Sequence, residues 1–313
     1  MEKKSNLWMY LVFGAAVLLM LPVLFLYRPT ETITDYKMIF QEREITGTYE
    51  GQTRNHLPDG EGTFTSDNGK FVYTGGFSKG EMSGKGFLKD AQFVQTYPGD
   101  LVDRVGTYEG EMLDGEASGQ ATFRTQNKAY DWYTYTGAYE HNRWNGYGRL
   151  KYDDEFYFLR EGNFVDCEFM PTVEQFYKCY GTWLGMPYEL TEETAALFRE
   201  EGEAMLSDPE AYTKDAPEVT YEALKDHVGE VVHLMGLTIV ENEHNDVLWG
   251  RHFMNICAED EGGNRVHLLA LAAYPVGWNY KIDAYVIPLA ASVYPNEYAE
   301  KTDTFVCAVI EID

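Results

Sequence analysis

The chain is short of positive charge. Among its 313 residues, 25 Lys and Arg stand against 51 Asp and Glu, a formal net charge of -26. Surfaces that meet nucleic acid or anionic lipid carry a basic footprint, so this deficit argues against both and predicts an acidic chain that repels its neighbours. Cysteine is also scarce. Cys167, Cys179, Cys257 and Cys307 form no Cys-x-x-Cys pair and share no zinc-like spacing with histidine. A chain of this length needs no disulfide to hold a core, and the sequence leaves open whether these thiols are free or paired. Missing too are Gly-x-Ser-x-Gly, His-Glu-x-x-His, a phosphate-binding Gly-Lys-Ser/Thr and a dinucleotide fingerprint. The acidic runs 152–155 and 241–246 lack the regular oxygen spacing of a calcium loop. The expectation is a protein with no catalytic residue, no cofactor and no metal.

Long apolar runs are absent with one exception. Residues 7–27, LWMYLVFGAAVLLMLPVLFLY, contain no charged side chain. At about 1.5 Å per residue such a run covers roughly 30 Å, the thickness of a bilayer core, so 1–28 is predicted to be a transmembrane anchor with a bend at Pro22. A signal peptide would have a shorter apolar region and a small-residue cleavage site, which LPVLFLYRPTET does not offer. Lys3 and Lys4 precede the run, and Arg28 stands alone after it before an acidic stretch. That bias predicts a single-pass protein of the cell membrane, its N-terminus cytoplasmic and the rest outside. Residues 29–46 read as a juxtamembrane linker.

What the sequence has in abundance is tyrosine and glycine, 24 and 29 residues. They recur in register. The stretches YEGQTRNHLPDGEGTF from Tyr49, YTGGFSKGEMSGKGFL from Tyr73, YEGEMLDGEASGQATF from Tyr108 and YTGAYEHNRWNGYGRL from Tyr135 share a frame. In each, Tyr is followed by Gly two residues on (Gly51, Gly75, Gly110, Gly137) and eleven on (Gly60, Gly84, Gly119, Gly146). Gly62, Gly86, Ala121 and Gly148 fall thirteen on, and an apolar or aromatic residue fifteen on. A degenerate fifth copy starts at Arg160. These blocks resemble the MORN (membrane occupation and recognition nexus) repeat, which implies an array of β-hairpins over 47–169, associated in that family with protein scaffolding and membrane or lipid attachment. From the residues, alternation puts Tyr and its apolar partners on one face, glycine lets hairpins stack closely, and PDG at 58–60, DNG at 67–69 and HNRWNG at 141–146 read as turns. The insertion at 89–105 reads as a surface loop or a lengthened hairpin. With 12 basic against 19 acidic residues in 47–166, the array has the wrong sign for lipid headgroups.

After Pro171 the pattern changes. Residues 170–217 read as a helical connector, with a helix capped by Thr191, carrying Glu192 and Glu193 in its first turn and stopped by Ser207 and Pro209. From 218 to 313 five strands follow, separated by NEHND, DEGGN and YPVGWN turns, in a layout that weakly resembles a small OB-like barrel. Five of the seven histidines fall here, with His233 and His267 expected as satisfied strand residues. Trp249, Trp278 and Tyr280 are the candidate binding surface. The fold class expected is therefore mainly β. Its expected role is a non-catalytic, membrane-anchored scaffold at the surface of a bacterial cell, with another protein as partner. The alternatives are a cell-envelope polysaccharide-binding module or hydrolase, and a cytoplasm-facing scaffold.

Overall fold

The computed structural model describes residues 28–97, 100–125, 133–152, 159–183, 188–295 and 301–313. The apolar run read as an anchor lies outside the described residues, among which no helix is long and apolar enough to cross a membrane. The chain divides into two compact units. One takes the described part of 1–94 with 103–121 and 140–142; the other takes 95–102, 122–139 and 143–313.

Eleven strands are hydrogen-bonded in sequence order: β1 (Thr30–Phe40), β2 (Arg43–Arg54), β3 (Leu57–Ser66), β4 (Val72–Ser78), β5 (Glu81–Tyr97), β6 (Asp100–Leu113), β7 (Glu116–Thr125), β8 (Tyr133–Glu140), β9 (Arg143–Tyr152), β10 (Arg160–Val165) and β11 (Glu168–Phe169). Residues 29–46, read from sequence as a linker, carry β1 and the start of β2, which pair antiparallel from Thr30↔Gln52 to Phe40↔Arg43. The reason is alternation. Tyr36, Met38 and Phe40 fall on one face, and the Tyr36 ring lies 6.1 Å from Tyr49 and 6.2 Å from Phe64. The insertion 89–105 takes the second of its two expected forms, extending β5 and β6 into a long hairpin.

Of the turns read from sequence, DNG at 67–69 stands between β3 and β4 and HNRWNG turns at its first two residues, but PDG does not turn. Pro58, Asp59 and Gly60 are strand residues, and the turn between β2 and β3 is Asn55–His56, both at positive φ (53° and 61°). The same two-residue geometry recurs at Lys79–Gly80, Asp114–Gly115, His141–Asn142 and Asp166–Cys167, the form whose twist matches that of the flanking strands. Each turn is tied to the hairpin before it. Gly80 N–H donates to the Pro58 carbonyl, Gly115 to Met82, Asn142 to Ala117 and Cys167 to Trp144, all at 2.8–3.0 Å. Asp59 is buried where a turn would expose it. Its carboxylate accepts Arg28 Nε at 2.5 Å, and that hydrogen bond holds its pKa below the usual carboxylate range.

In the second unit, helices α1 (Val173–Trp183) and α2 (Glu192–Ser207) and the one-turn α3 (Glu210–Thr213) follow β11. Thr191 caps α2 by accepting the Thr194 N–H, as its sequence predicts. Helix α1 covers the free edge of β10, an edge that would otherwise expose unpaired amides. Gln175 Oε1 accepts the N–H groups of Asn163 and Thr172, and the Cys179 sulfur accepts that of Glu161.

Five further strands close into a barrel of order β12-β13-β14-β16-β15: β12 (Val232–Leu248), β13 (Arg251–Glu259), β14 (Arg265–Ala270), β15 (Lys281–Pro295) and β16 (Lys301–Ile312). The β14–β16 contact is parallel and the rest antiparallel. NEHND, expected as a turn, is strand. Strand β12 runs through it to Leu248, and the reversal falls at Trp249–Gly250, both at positive φ. Alternate residues fill the barrel (Leu234, Ile256, Leu268, Val286) or face the helices outside it, where Phe176, Tyr177 and Phe198 pack with Phe253, Leu269 and Ile287. Burial on both faces explains the nearly continuous apolar runs of β13 and β14, interrupted by the buried Asn255 and His267.

Candidate binding surfaces

The repeat frame is explained by one local arrangement. The hydroxyls of Tyr49, Tyr73, Tyr108 and Tyr135 donate to the carbonyls three residues on, at Gln52, Gly76, Glu111 and Ala138, over 2.5–3.0 Å. All four tyrosines are fully buried. Loss of water disfavours the phenolate, pushing Tyr49 up to about 12 and the other three higher still, so each stays a donor at any physiological pH. On the returning strand a bulge sits opposite the acceptor carbonyl: Gly51 pairs with Gly62 but Thr53 with Pro58, and Gly75 pairs with Gly86 but Phe77 with Met82. The glycine eleven residues after Tyr lies in that bulge, with φ of +116° at Gly60 and +79° at Gly84. The glycine thirteen on lies under the ring. A Cβ on Gly62 would come within 2.4 Å of the Tyr49 ring, and one on Gly86 within 2.3 Å of Tyr73. Gly146 and Gly148 repeat the pair beneath Tyr135, while the third repeat combines Gly119 (φ +84°) with Ala121. Gly51, Gly75, Gly110 and Gly137, two residues after Tyr, face these positions across the ladder at distances that exclude a Cβ.

Every tyrosine and most glycines of the frame are thus used up by packing, which leaves the opposite face of the array. Three positions of each repeat point outward there, one, twelve and fourteen residues after Tyr. In the first unit they are Glu50, Glu61 and Thr63, then Thr74, Lys85 and Phe87. Phe87, at 43% exposure, is a large apolar side chain among polar ones. Beside it a groove of about 450 Å³ is lined by Thr74, Lys85, Phe87, Glu109, Glu111 and Gln120. In the second unit the same positions carry Thr136, Tyr147 and Arg149; the Tyr147 hydroxyl donates to Glu161 at 3.1 Å. Sequence reading left the exposed face of the array for binding but named none of its residues, because they vary from repeat to repeat. The signal present was their fixed offset from Tyr.

The three aromatics singled out in the C-terminal domain separate. Trp249 packs between Phe169 (5.0 Å) and Phe176 (5.2 Å), so it is a core contact. Trp278 and Tyr280 lie in the segment leading into β15 and are 70% and 56% exposed. His267 is fully buried in β14 with Nδ1 3.4 Å from Asn255 Oδ1, and burial lowers its pKa to about 4, leaving it neutral at pH 7. His233 stacks on Tyr285 at 4.2 Å. The four cysteines are free thiols, and burial pushes Cys179 up to about 11, which makes it a weak nucleophile. Among the described residues, no three His, Cys, Asp or Glu side chains converge into a group able to hold a metal.

The comparisons with known proteins follow the same frame. The MORN repeat family model matches four stretches, 49–71, 73–92, 108–129 and 135–155, beginning at the four frame tyrosines. The chain therefore carries four MORN repeats within a strand-rich architecture, a repeat type that suggests a protein- or membrane-binding module. No curated protein matches the chain.

Proposed function

We propose that the chain is a non-catalytic, membrane-anchored scaffold at the cell surface that holds another protein on the outward face of its repeat array. The observation that carries this reading is the division of labour within each repeat. Tyrosine and glycine are consumed by the fold, which leaves a ladder of polar and occasional apolar side chains at constant spacing, a surface suited to an extended partner. Charge supports a protein over a lipid, because acidic side chains outnumber basic ones across the repeats. The strand order of the C-terminal barrel, with one parallel contact between its third and fifth strands, supports the OB-like reading of that domain.

Orientation and chemistry are tested together. Lys85→Cys and Glu200→Cys, both at exposed positions, are treated with an impermeant maleimide on intact cells, with the unaltered chain as control. Labelling of both supports the surface location. Labelling only after lysis reverses it and leaves a cytoplasm-facing scaffold. A second reading, a cell-envelope polysaccharide-binding module or hydrolase, is favoured by the exposed pair Trp278 and Tyr280, since aromatic faces stack on sugar rings. Turnover of a glycan by the purified chain, abolished by changing one carboxylate, would overthrow the non-catalytic reading.

A further inference from the structure

The wall of the barrel has a notch. Residues Pro217–Val219 run beside β12 only at His233, whose N–H donates to the Pro217 carbonyl (2.9 Å) and whose carbonyl accepts from Val219 (3.0 Å). Strand β13 takes up that side of β12 only from Thr238 onward. Between these points Met235 and Gly236 fall in a register shift of β12 against β15, with Gly236 at φ +67° and Met235 51% exposed. The Gly236 N–H is held by Asp283 Oδ1 at 2.7 Å, which fixes the bulge outward.

The result is a cavity of about 650 Å³ with an apolar floor and a charged rim. Leu234, Leu237 and Val266, part of the barrel core and at most 3% exposed, form the floor, and Tyr221 stands beside it. On the rim are Glu218, Asp260, Glu261 and Asp283, and among the described residues no lysine, arginine or histidine lines the cavity. Two of these carboxylates are engaged. Asp283 holds Gly236, and Asp260 closes its own turn by accepting the N–H groups of Gly262 and Asn264. Glu218 and Glu261 are exposed and, among the described residues, make no side-chain hydrogen bond or ion pair.

We propose that this cavity receives a lysine or arginine side chain presented by a partner protein. Such a side chain has an aliphatic stem that buries well on an apolar floor and a charged head that stays at the rim, where carboxylates give charge-assisted hydrogen bonds. A neutral apolar ligand would leave the rim uncompensated, and an anion would be repelled by it. This inference rests on the scaffold reading, and it places one anchor point of the partner on the barrel, apart from the array face.

The test titrates the full chain with acetylated, amidated Gly-Arg-Gly and Gly-Lys-Gly peptides and with a citrulline counterpart of the first, following backbone amide shifts by NMR. The expected result is saturable shifts at Met235, Gly236 and Gly262 with the cationic peptides, and binding at least tenfold weaker for citrulline. The exchange Glu218→Gln with Glu261→Gln lowers affinity about tenfold, while Glu200→Gln with Glu201→Gln, the same charge change on exposed α2 residues, leaves it unaltered. The site is overturned if the citrulline peptide binds equally, if both pairs of substitutions weaken binding equally, or if neither cationic peptide binds. Failure here with a partner still held on the array face sinks the cavity alone; loss of any array partner with peptide binding intact sinks the scaffold reading alone.

Discussion

The repeat array and the barrel are both antiparallel β structure, yet they solve the problem of burial differently. In the array Tyr49 and Tyr135 pack on their own hairpins and on Phe77 and Phe164 of the next. The same four-part arrangement of ring, acceptor carbonyl, bulge and underlying glycine is used again and again. In the barrel no arrangement repeats, and one closed core is shared by all five strands. The lesson is about how far damage travels. Stability in the array is a sum of local terms, whereas in the barrel any core residue supports every strand.

The largest effect should come from breaking the ring contacts. Tyr73→Ala is expected to cost about 3–5 kcal/mol, by analogy with the removal of other buried aromatics, and Leu268→Ala in the barrel about 2–5 kcal/mol. Their footprints should differ more than their sizes. Hydrogen exchange monitored by residue should show Tyr73→Ala losing protection in β2–β5 and leaving β12–β16 as before, while Leu268→Ala lowers protection throughout the barrel. Equal spreading of both would remove the distinction.

Acid should strike the second unit through two groups. His267 is buried neutral, its pKa depressed to about 4 from 6.5. Between those values the unfolded chain binds a proton that the folded chain does not, so stability rises with pH across that window and is lost as pH falls, by about 3 kcal/mol in all. Glu174 adds to this lower down. It is 8% exposed and accepts Arg199 from α2 at 2.8 and 3.0 Å and Lys178 at 2.6 Å, and these bonds depress its pKa. Its contribution is present above the unfolded carboxylate value and disappears as pH drops through the lowered one. Chemical denaturation at pH 7, 5.5 and 4.5 should show the decline, and a flat profile would refute the His267 part.

A smaller effect isolates the hydroxyl. Tyr73→Phe keeps the ring and deletes the bond to the Gly76 carbonyl, an expected loss of about 1 kcal/mol in denaturant titration. Smallest of all should be Trp278→Ala, within about 0.5 kcal/mol, since the side chain is exposed. Trp249→Ala, by contrast, opens the cluster of Phe169 and Phe176 and should cost about 3–5 kcal/mol.

The same comparison explains what the sequence revealed. Tyr49, Gly60 and Gly62 could be read as a frame because three separate physical demands, a buried donor, a positive φ and a ring in van der Waals contact, recur at fixed offsets. The PDG turn was misplaced because Gly60 needs its positive φ for a bulge, while the true turn, Asn55–His56, lies just upstream in equally turn-prone residues. Strand β1 was illegible as part of the array because it has no tyrosine-glycine step, and its alternation is broken by a register shift between Ile33 and Tyr36. In the barrel, strand number was legible from alternating apolar runs, but the NEHND segment, polar and turn-like, was carried into β12 by its pairing with β13. Side-chain chemistry alone could not separate Trp249 from Trp278. The exposed face of the array was legible as a surface left for binding, but the residues of its ladder and the barrel cavity were not, because both are made by residues that local geometry leaves free to vary.

The central claim is that the outward array face holds a partner protein. It is tested most directly by placing a photo-crosslinking residue at Lys85, on that face, and at Glu200, on the exposed side of α2, in full-length protein in its native cell. The account predicts a discrete protein adduct from position 85, abolished by Phe87→Glu, and none from position 200. Adducts of the same kind from both positions, or from neither, would contradict it.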